Sequence, residues 1–448
     1  MATTSPPARD RFEDRLLDAF LDRFEEIRGE GGAPAGALPA RGRRRGPVAL
    51  TSLAVLAAAA LGVAFALSSA PSPTGTAPGL RWALAGYVGS PWEGTVGRGL
   101  SVSGPSHQAL TCPSTTTCYV EGPAGAGQGA EVEATYDGGK TWHLTGLGGA
   151  RALSNVSCPS AQVCALLEGR TDNKPLFVET TDGGRTWLER PAPNWLSPLA
   201  RDGASGSAPT ETLTAMSCRS RSSCSVLVWI GELRDGKLSG RGVASLTSDG
   251  GRAWSSPVPA PKPSWELQCS ADGRCLAAGP SGAAYSTDNG LRWSVPSGLP
   301  SGAASYFSCA TEAMCTAWSA PAGGAESLLV SGDGGESWSA LSATGLPTGV
   351  LFTTLACPTS SDCWLSGDSA QALVSGNDGV VLSSANGGRA WGTSLLPRGT
   401  GAVFALSCPG QGTCFLLATK QPPASSPGAP PALVLLAHFA KADHGAAP

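Results

Sequence analysis

From about residue 80 onward the chain is a succession of short apolar runs separated by tight polar loops. Tyr119-Val120, Ala165-Leu166-Leu167 and Phe415-Leu416-Leu417 each follow a pair of cysteines, and Phe404-Ala405-Leu406 precedes one. Runs of this length, bounded by Gly, Pro, Ser and Asp, predict strand, tight loop, strand. Seven cysteine pairs flank such loops, each with five residues between: Cys112/Cys118, Cys158/Cys164, Cys218/Cys224, Cys269/Cys275, Cys309/Cys315, Cys357/Cys363 and Cys408/Cys414. The pairs begin 40 to 60 residues apart, the spacing of a propeller blade.

The amino-terminal pattern differs. Residues 48–67 are apolar or small and carry no charge, and a helix of that length covers the roughly 30 Å hydrocarbon core of a bilayer. Arg41, Arg43, Arg44 and Arg45 stand just before it, and an uncharged Ser/Pro linker, 68–79, follows. The positive-inside rule then places the amino terminus in the cytoplasm and the cysteine-rich part outside. No cysteine precedes Cys112, and disulfides persist in oxidising compartments, so the cysteine distribution gives the same topology. The alternative is a cleaved signal peptide ending near Ala70, for which both the preceding segment and the apolar core are long. Within 9–30, Phe12, Leu16, Leu17, Phe20, Phe24 and Ile27 recur at helical spacing, which predicts a cytoplasmic helix that binds a partner or lies on the membrane or on itself. Residues 33–40 form a Gly/Pro/Ala spacer.

A second motif runs between the cysteine pairs. It occupies 135–142, 180–187, 247–254, 286–293, 331–338 and 384–391, and reads S/T-x-D-G-G-x-x-W. Asn289 stands in for one glycine and Asn386 for one aspartate. Asp-Gly and Asn-Gly are strong turn signals, because Gly tolerates positive φ and Asp accepts bonds within its own turn. The tryptophan opens the next strand and can bury a large surface. This pattern resembles the Asp-box, or BNR, repeat of sialidases, sortilin-type receptors and photosystem II assembly factors, within the wider WD40/YVTN/BNR-like group of repeats. The resemblance covers roughly 80–440. It implies an all-β, seven-bladed β-propeller in which Asp137, Trp142, Asp182, Trp187, Asp249, Trp254, Asp288, Trp293, Asp333, Trp338, Asn386 and Trp391 build structural turns between the third and fourth strands of a blade.

Six boxes accompany seven cysteine pairs, and no fourth strand follows the run at 432–439. Gly79-Leu80-Arg81-Trp82 repeats Gly290-Leu291-Arg292-Trp293 letter for letter, so 80–88 is expected to supply the outer strand of the last blade and to close the ring without a free edge. The organisation read from the sequence is therefore 1–47 cytoplasmic, 48–67 transmembrane, 68–79 linker, 80–440 propeller and 441–448 tail. The blades fall near 107–148, 152–191, 212–258, 264–298, 303–343, 350–396 and 402–440 with 80–88. The insertion 191–210 carries Trp195, either an exposed contact or a pin holding the loop to the body.

Composition narrows the function. Among 448 residues, Gly (60) and Pro (36) are abundant and charged residues make up 15%, which suits many short strands. A net charge of −3 gives no sign of a nucleic-acid partner. The Ala/Gly/Arg-rich composition fits a bacterium of high-GC genome. Seven cysteine pairs on seven blades point in seven directions and cannot converge on a metal, redox pairs more often read C-x-x-C, and the His supply is His107, His143, His438 and His444. Disulfides are the expected state, with no cofactor. Closing a seven-residue loop stabilises by about 2 kcal/mol in the chain-entropy model.

Sialidases use an arginine triad, a Tyr/Glu pair and an Arg-Ile-Pro motif. No Arg-Ile-Pro occurs here, the boxes take up Arg185, Arg252, Arg292 and Arg389, and the propeller holds five tyrosines, Tyr87, Tyr119, Tyr136, Tyr285 and Tyr306. Glu121, Glu168 and Asp368 follow the second strands of their blades, either as a carboxylate pair near the axis or as solvated strand ends. The Gly-rich stretch 122–129 lacks the spacing of a phosphate loop. The sequence points to no catalytic residue. The expected function is an extracytoplasmic, membrane-anchored binding or scaffold module for a protein, peptide or cell-wall glycan, with a sialidase-like glycoside hydrolase as the alternative.

Overall fold

The computed structural model describes residues 81–88 and 110–439, except 124–129, 146, 148–149, 153, 171–174, 194, 196–209, 235–236, 261–265, 280–281, 301–302, 322–325, 370–378 and 421–431. The expected helix at 9–30, the arginine cluster, the apolar segment 48–67, the linker 68–79 and the tail 441–448 lie outside the described residues, as does most of the 191–210 insertion. Among the described residues, no helix is long and apolar enough to cross a membrane.

The described strands form seven antiparallel sheets. The chain enters through β1 (Ala83–Tyr87). Blade 1 is β2 (Leu110–Thr111), β3 (Cys118–Pro123), β4 (Ala130–Thr135) and β5 (His143–Leu144). Blade 2 is β6 (Ala150–Ala152), β7 (Cys164–Arg170), β8 (Pro175–Thr180) and β9 (Leu188–Pro191). Blade 3 is β10 (Thr210–Cys218), β11 (Cys224–Arg234), β12 (Lys237–Thr247) and β13 (Val258–Ala260). Blade 4 is β14 (Glu266–Cys269), β15 (Cys275–Gly279) and β16 (Gly282–Ser286). Blade 5 is β17 (Ala303–Cys309), β18 (Cys315–Pro321), β19 (Ser327–Ser331) and β20 (Ser339–Leu341). Blade 6 is β21 (Val350–Ala356), β22 (Cys363–Ser369), β23 (Gly379–Ser384) and β24 (Gly392–Thr393). Blade 7 is β25 (Thr400–Gly410), β26 (Thr413–Lys420) and β27 (Ala432–Phe439), with β1 as its outer strand in the order β1-β27-β26-β25.

The closure expected from Gly79-Leu80-Arg81-Trp82 is present: Ala83 pairs with Ala437, and Tyr87 with Val434. Trp82 N also donates to Leu395 O of blade 6 at 3.0 Å. Blade 4 has three strands rather than four, because its outer segment is reduced to a bridge between Tyr285 and Ser294. Pro296 follows two residues later, lacks an N–H and cannot extend a ladder.

Second strands such as β15 are buried along their whole length and outer strands such as β5 are exposed. This is why the second strands read as continuous apolar runs: each lies between two neighbouring sheets. Apolar clusters join blades 1, 2 and 3, blades 3 and 4, 4 and 5, 5 and 6, and 6 and 7. A further cluster joins Phe415, Leu417 and Leu435 of blade 7 to Leu110 and Val120 of blade 1, which completes the circle.

Candidate functional site

Consecutive antiparallel strands alternate direction, so the loop between first and second strands and the turn between third and fourth lie at one end of a blade. The other connections lie at the opposite end. The cysteine pairs occupy the first kind of loop, and all seven are bonded within the pair. The Asp-boxes occupy the second kind. The two are tied together in every boxed blade: Gly138 N donates to Thr116 O at 2.8 Å, Gly183 N to Gln162 O at 2.9 Å, and Gly387 N to Ser361 O at 2.7 Å. One face of the ring is thus stapled and hydrogen-bonded blade by blade.

Each box is a closed polar circuit. In the second, Thr180 Oγ1 donates to Asp182 Oδ1 at 2.9 Å and accepts from Gly184 N at 2.8 Å. The amides of Arg185 and Thr186 donate to Asp182 Oδ1 at 3.0 and 2.9 Å, and Thr186 Oγ1 donates to Asp182 Oδ2 at 2.6 Å. The Thr186 hydroxyl and amide, followed by the other donors, hold this carboxyl at about 2. Asn386 keeps the bonds that need one oxygen, from Ser384 Oγ at 2.9 Å and Ala390 N at 2.8 Å. Trp142, Trp293, Trp338 and Trp391 return Nε1 to the carbonyl of their own second box glycine at 2.8 to 3.1 Å.

The second glycine of the box is demanded twice. Gly139, Gly184, Gly251, Gly290, Gly335 and Gly388 all have positive φ. Several also receive a side chain of the preceding blade. A Cβ on Gly251 would lie 2.4 Å from the Phe177 ring, one on Gly184 2.7 Å from Tyr119 Oη, and one on Gly139 2.7 Å from Leu435. Where that visiting side chain is aromatic, the box tryptophan packs on it edge to face. Tyr119 and Trp187 have ring centroids 6.1 Å apart, Phe177 and Trp254 5.6 Å apart. In those two boxes the indole N–H makes no hydrogen bond among the described residues. Burial, the largest influence, raises the Tyr119 hydroxyl above the usual phenol range.

Polar links between blades recur at fixed offsets from the first cysteine. The residue just before it accepts a bond from the first-cysteine amide of the next blade: Ser407 from Cys112 at 2.9 Å, Ser157 from Cys218 at 2.8 Å, Ser217 from Cys269 at 2.9 Å, Gln268 from Cys309 at 3.1 Å and Ser308 from Cys357 at 2.8 Å. Asn155, three residues before Cys158, bonds both the amide and the carbonyl of Met216, at 3.0 and 3.1 Å. Within blade 2, Glu179 and Arg190 form an ion pair at 2.6 Å, and the guanidinium crosses to blade 3, where it donates to Gly250 O at 3.0 Å.

The carboxyls singled out from the sequence fall into this pattern. Glu121 Oε1 accepts from Val156 N of blade 2, and Asp368 Oδ1 from Val403 N of blade 7 at 3.0 Å. Burial pushes Glu121 up to about 8 and Asp368 up to about 6, each partly opposed by its backbone bond. The expected similarity of Glu121 and Glu168 does not hold. Cys118 pairs with Thr135 and Cys164 with Thr180, so the strands share a register, yet Glu121 is three residues past its cysteine and Glu168 four. Their side chains therefore leave opposite faces of their blades. Both lie within the strands rather than at solvated ends, and Glu168 is buried.

Two residues given no role from the sequence stand on neighbouring blades and are coupled electrostatically. Glu266 and Tyr306 each stand three residues before the first cysteine of adjacent blades, on the first strands β14 and β17. Glu266 Oε2 accepts from Phe307 N at 3.3 Å. Burial drives its carboxyl up to about 8. Burial and then the Glu266 charge drive the Tyr306 hydroxyl upward. Their equal offset from the cysteine was the available signal. The box arginines turn away from this region: Arg185, Arg252 and Arg389 bond their own box carbonyls at 2.8 to 3.2 Å, and Arg292 is 93% exposed. Trp195 is half-buried against the core of blades 1 to 3 and acts as a pin. Among the described residues, no group of three His, Cys, Asp or Glu could hold a metal ion.

No family model matches the chain, and no curated protein matches it. Among solved structures, it is similar to the GH74 xyloglucanase from Xanthomonas campestris at 13% identity and a TM-score of 0.46, over 79% of this chain and 55% of that one. The chain thus spans just over half of the xyloglucanase. The Hadza microbial sialidase Hz136 is 13% identical with a TM-score of 0.41, over 70% of this chain and 74% of that one. A protein of unknown function from Dyadobacter fermentans DSM 18053 is 12% identical with a TM-score of 0.38, over 81% and 100%. The assignment rests on the chain's own strands, sulfur bridges and turns: it is a seven-bladed β-propeller of the Asp-box kind.

Proposed function

We propose that this chain is a binding propeller held outside the cell on a single-pass anchor, and that the loops opposite the stapled face recognise a protein, peptide or cell-wall glycan. One observation carries the reading. Glu121, Glu266 and Asp368 each use a carboxylate oxygen to accept a backbone amide of the next blade, so these carboxyls hold blades together instead of facing each other across an open cavity. The seven disulfides favour an oxidising compartment, the apolar sequence of 48–67 suits an anchor, and the helical spacing of apolar residues over 9–30 suits a surface for a cytoplasmic partner.

A glycoside hydrolase is the second reading, and the electrostatic coupling of Glu266 to Tyr306 on the neighbouring blade favours it. Against it, burial keeps the phenol protonated and holds Glu266 in its acid form over most of the neutral range, which weakens a Tyr/Glu nucleophile. The oxidised ectodomain, assayed on sialosides and other glycosides, is expected to give no turnover. Turnover lost in Glu266→Gln, Tyr306→Phe, Glu121→Gln or Glu168→Gln, with folding intact, would overturn the binding reading. Affinity capture with the oxidised ectodomain, expected to retain one stoichiometric ligand, tests that reading directly.

A further inference from the structure

In six blades a Ser or Thr pairs with the second cysteine and starts the Asp-box: Thr135 with Cys118, Thr180 with Cys164, Thr247 with Cys224, Ser286 with Cys275, Ser331 with Cys315 and Ser384 with Cys363. In blade 7 the partner of Cys414 is His438. The box tryptophan is replaced by Trp82, which arrives from the other end of the chain. The seventh turn is therefore split, with no peptide bond joining its halves and no aspartate to close the circuit. His438 is 3% exposed. Its ring centroid lies 4.7 Å from that of Trp364 in blade 6 and 5.7 Å from that of Trp82, and the two indoles meet edge to face at 5.4 Å. His438 Nδ1 and Trp82 Nε1 make no hydrogen bond among the described residues.

We propose that this split turn is an acid-released latch: a proton taken up by the imidazole walled in by Trp82 and Trp364 frees Trp82 and β1 from the ring while the six continuous turns stay closed. A charged ring has no acid to meet it there. The titratable side chains on the packed elements are Arg81 before β1, Tyr87 at its far end, Asp362 and Asp368 on blade 6, Arg389 in its box and Lys420 at the far end of β26. None of them acts on the ring, whose own influences are burial, which favours the neutral form, and the Gly412 backbone, which opposes it. In a detached seam the imidazole regains its ordinary affinity for protons. The open seam thus binds more protons than the closed one, and closure weakens as pH falls below about 6.5. Asp368 acts in the opposite sense at the same interface, since burial raises it, so it cannot produce a loss of closure as pH falls.

The test is hydrogen exchange of the oxidised full-length chain between pH 7.5 and 4.5, comparing amides of β1 with those of β9, an outer strand reached through a continuous box and free of histidine. The protection of β1 relative to β9 is expected to fall by up to about tenfold per pH unit below about 6.5. In His438→Gln, or in His438→Thr, which restores the residue type of the other blades, the ratio is expected to stay flat. Parallel loss of protection in both strands of the wild type would overturn the proposal, as would an unchanged pH dependence in a folded His438 variant. Should neither variant fold, the wild-type ratio decides alone.

Discussion

Replacing Gly251 by alanine is the sharpest probe of how the blades lock. The residue has φ +79°, and forcing an alanine into the left-handed region costs about 1–2 kcal/mol. The new Cβ would also sit 2.4 Å from the Phe177 ring, whose side chain is fully buried. Overpacking of this kind adds about 1–3 kcal/mol. Gly251→Ala is therefore expected to lose about 2–5 kcal/mol, read as a shift in the denaturant midpoint of the oxidised protein. The second contribution needs the ring to be present. With Phe177→Leu as background, Gly251→Ala should lose only the backbone part, giving a coupling of about 1–3 kcal/mol in the double-mutant cycle. Gly290 has φ +84°, and its Cβ would lie 3.9 Å from the nearest atom of the preceding blade and 3.2 Å from its own Trp293 ring, so Gly290→Ala should lose at least the backbone part, about 1–2 kcal/mol, with no coupling to the preceding blade. Gly392 lies in open space without positive φ, and its alanine variant should be near neutral. Additive effects of Gly251→Ala and Phe177→Leu, or equal losses at Gly251 and Gly392, would refute the packing argument.

Four further measurements bear on the same architecture. Glu121 and Glu266 at about 8, and Asp368 at about 6, are raised above their unfolded values, so the folded ring binds more protons. Their contribution is full below about pH 4.5 and is lost as pH rises through 6 and then 8. Glu121→Gln should flatten that slope in denaturation midpoints taken from pH 5 to 9, and a wild-type slope of the opposite sign would count against the burial of these carboxyls. Asp182→Ala leaves the Thr180, Arg185 and Thr186 donors without their acceptor and should lower stability by about 1–3 kcal/mol without altering the fold seen by circular dichroism. Opening one staple in Cys158→Ser with Cys164→Ser should cost about 2 kcal/mol, and mass mapping of the non-reduced wild type should find each cysteine linked to the one six positions away.

Cysteine spacing, box period and the repeated Gly-Leu-Arg-Trp were enough to read the blades and their closure, because each is a local signal with a local cause. The identity of the blade neighbours was not local in this sense. Phe177 meets Gly251 across a blade boundary, and nothing within either motif announces the other. The offset of Glu121 and Glu168 was available by counting from the second cysteine, since strand parity fixes the face. The roles of Ser157, Ser217 and Asn155 were hidden by their chemistry, as small polar residues beside a turn are ordinary until a neighbouring amide is found to need them. The third blade's hairpin, extended to Arg234 and Lys237, was legible only in its turn residues.

Every sulfur bridge in the ring spans the same six positions, whereas the hairpins at the other end run from the two residues between β15 and β16 to the eleven between β26 and β27. Blade integrity is set at the base and tip length is left unconstrained, a division that suits grafting. A foreign peptide inserted at 280–281 would be displayed on a scaffold whose fastenings lie a full strand away.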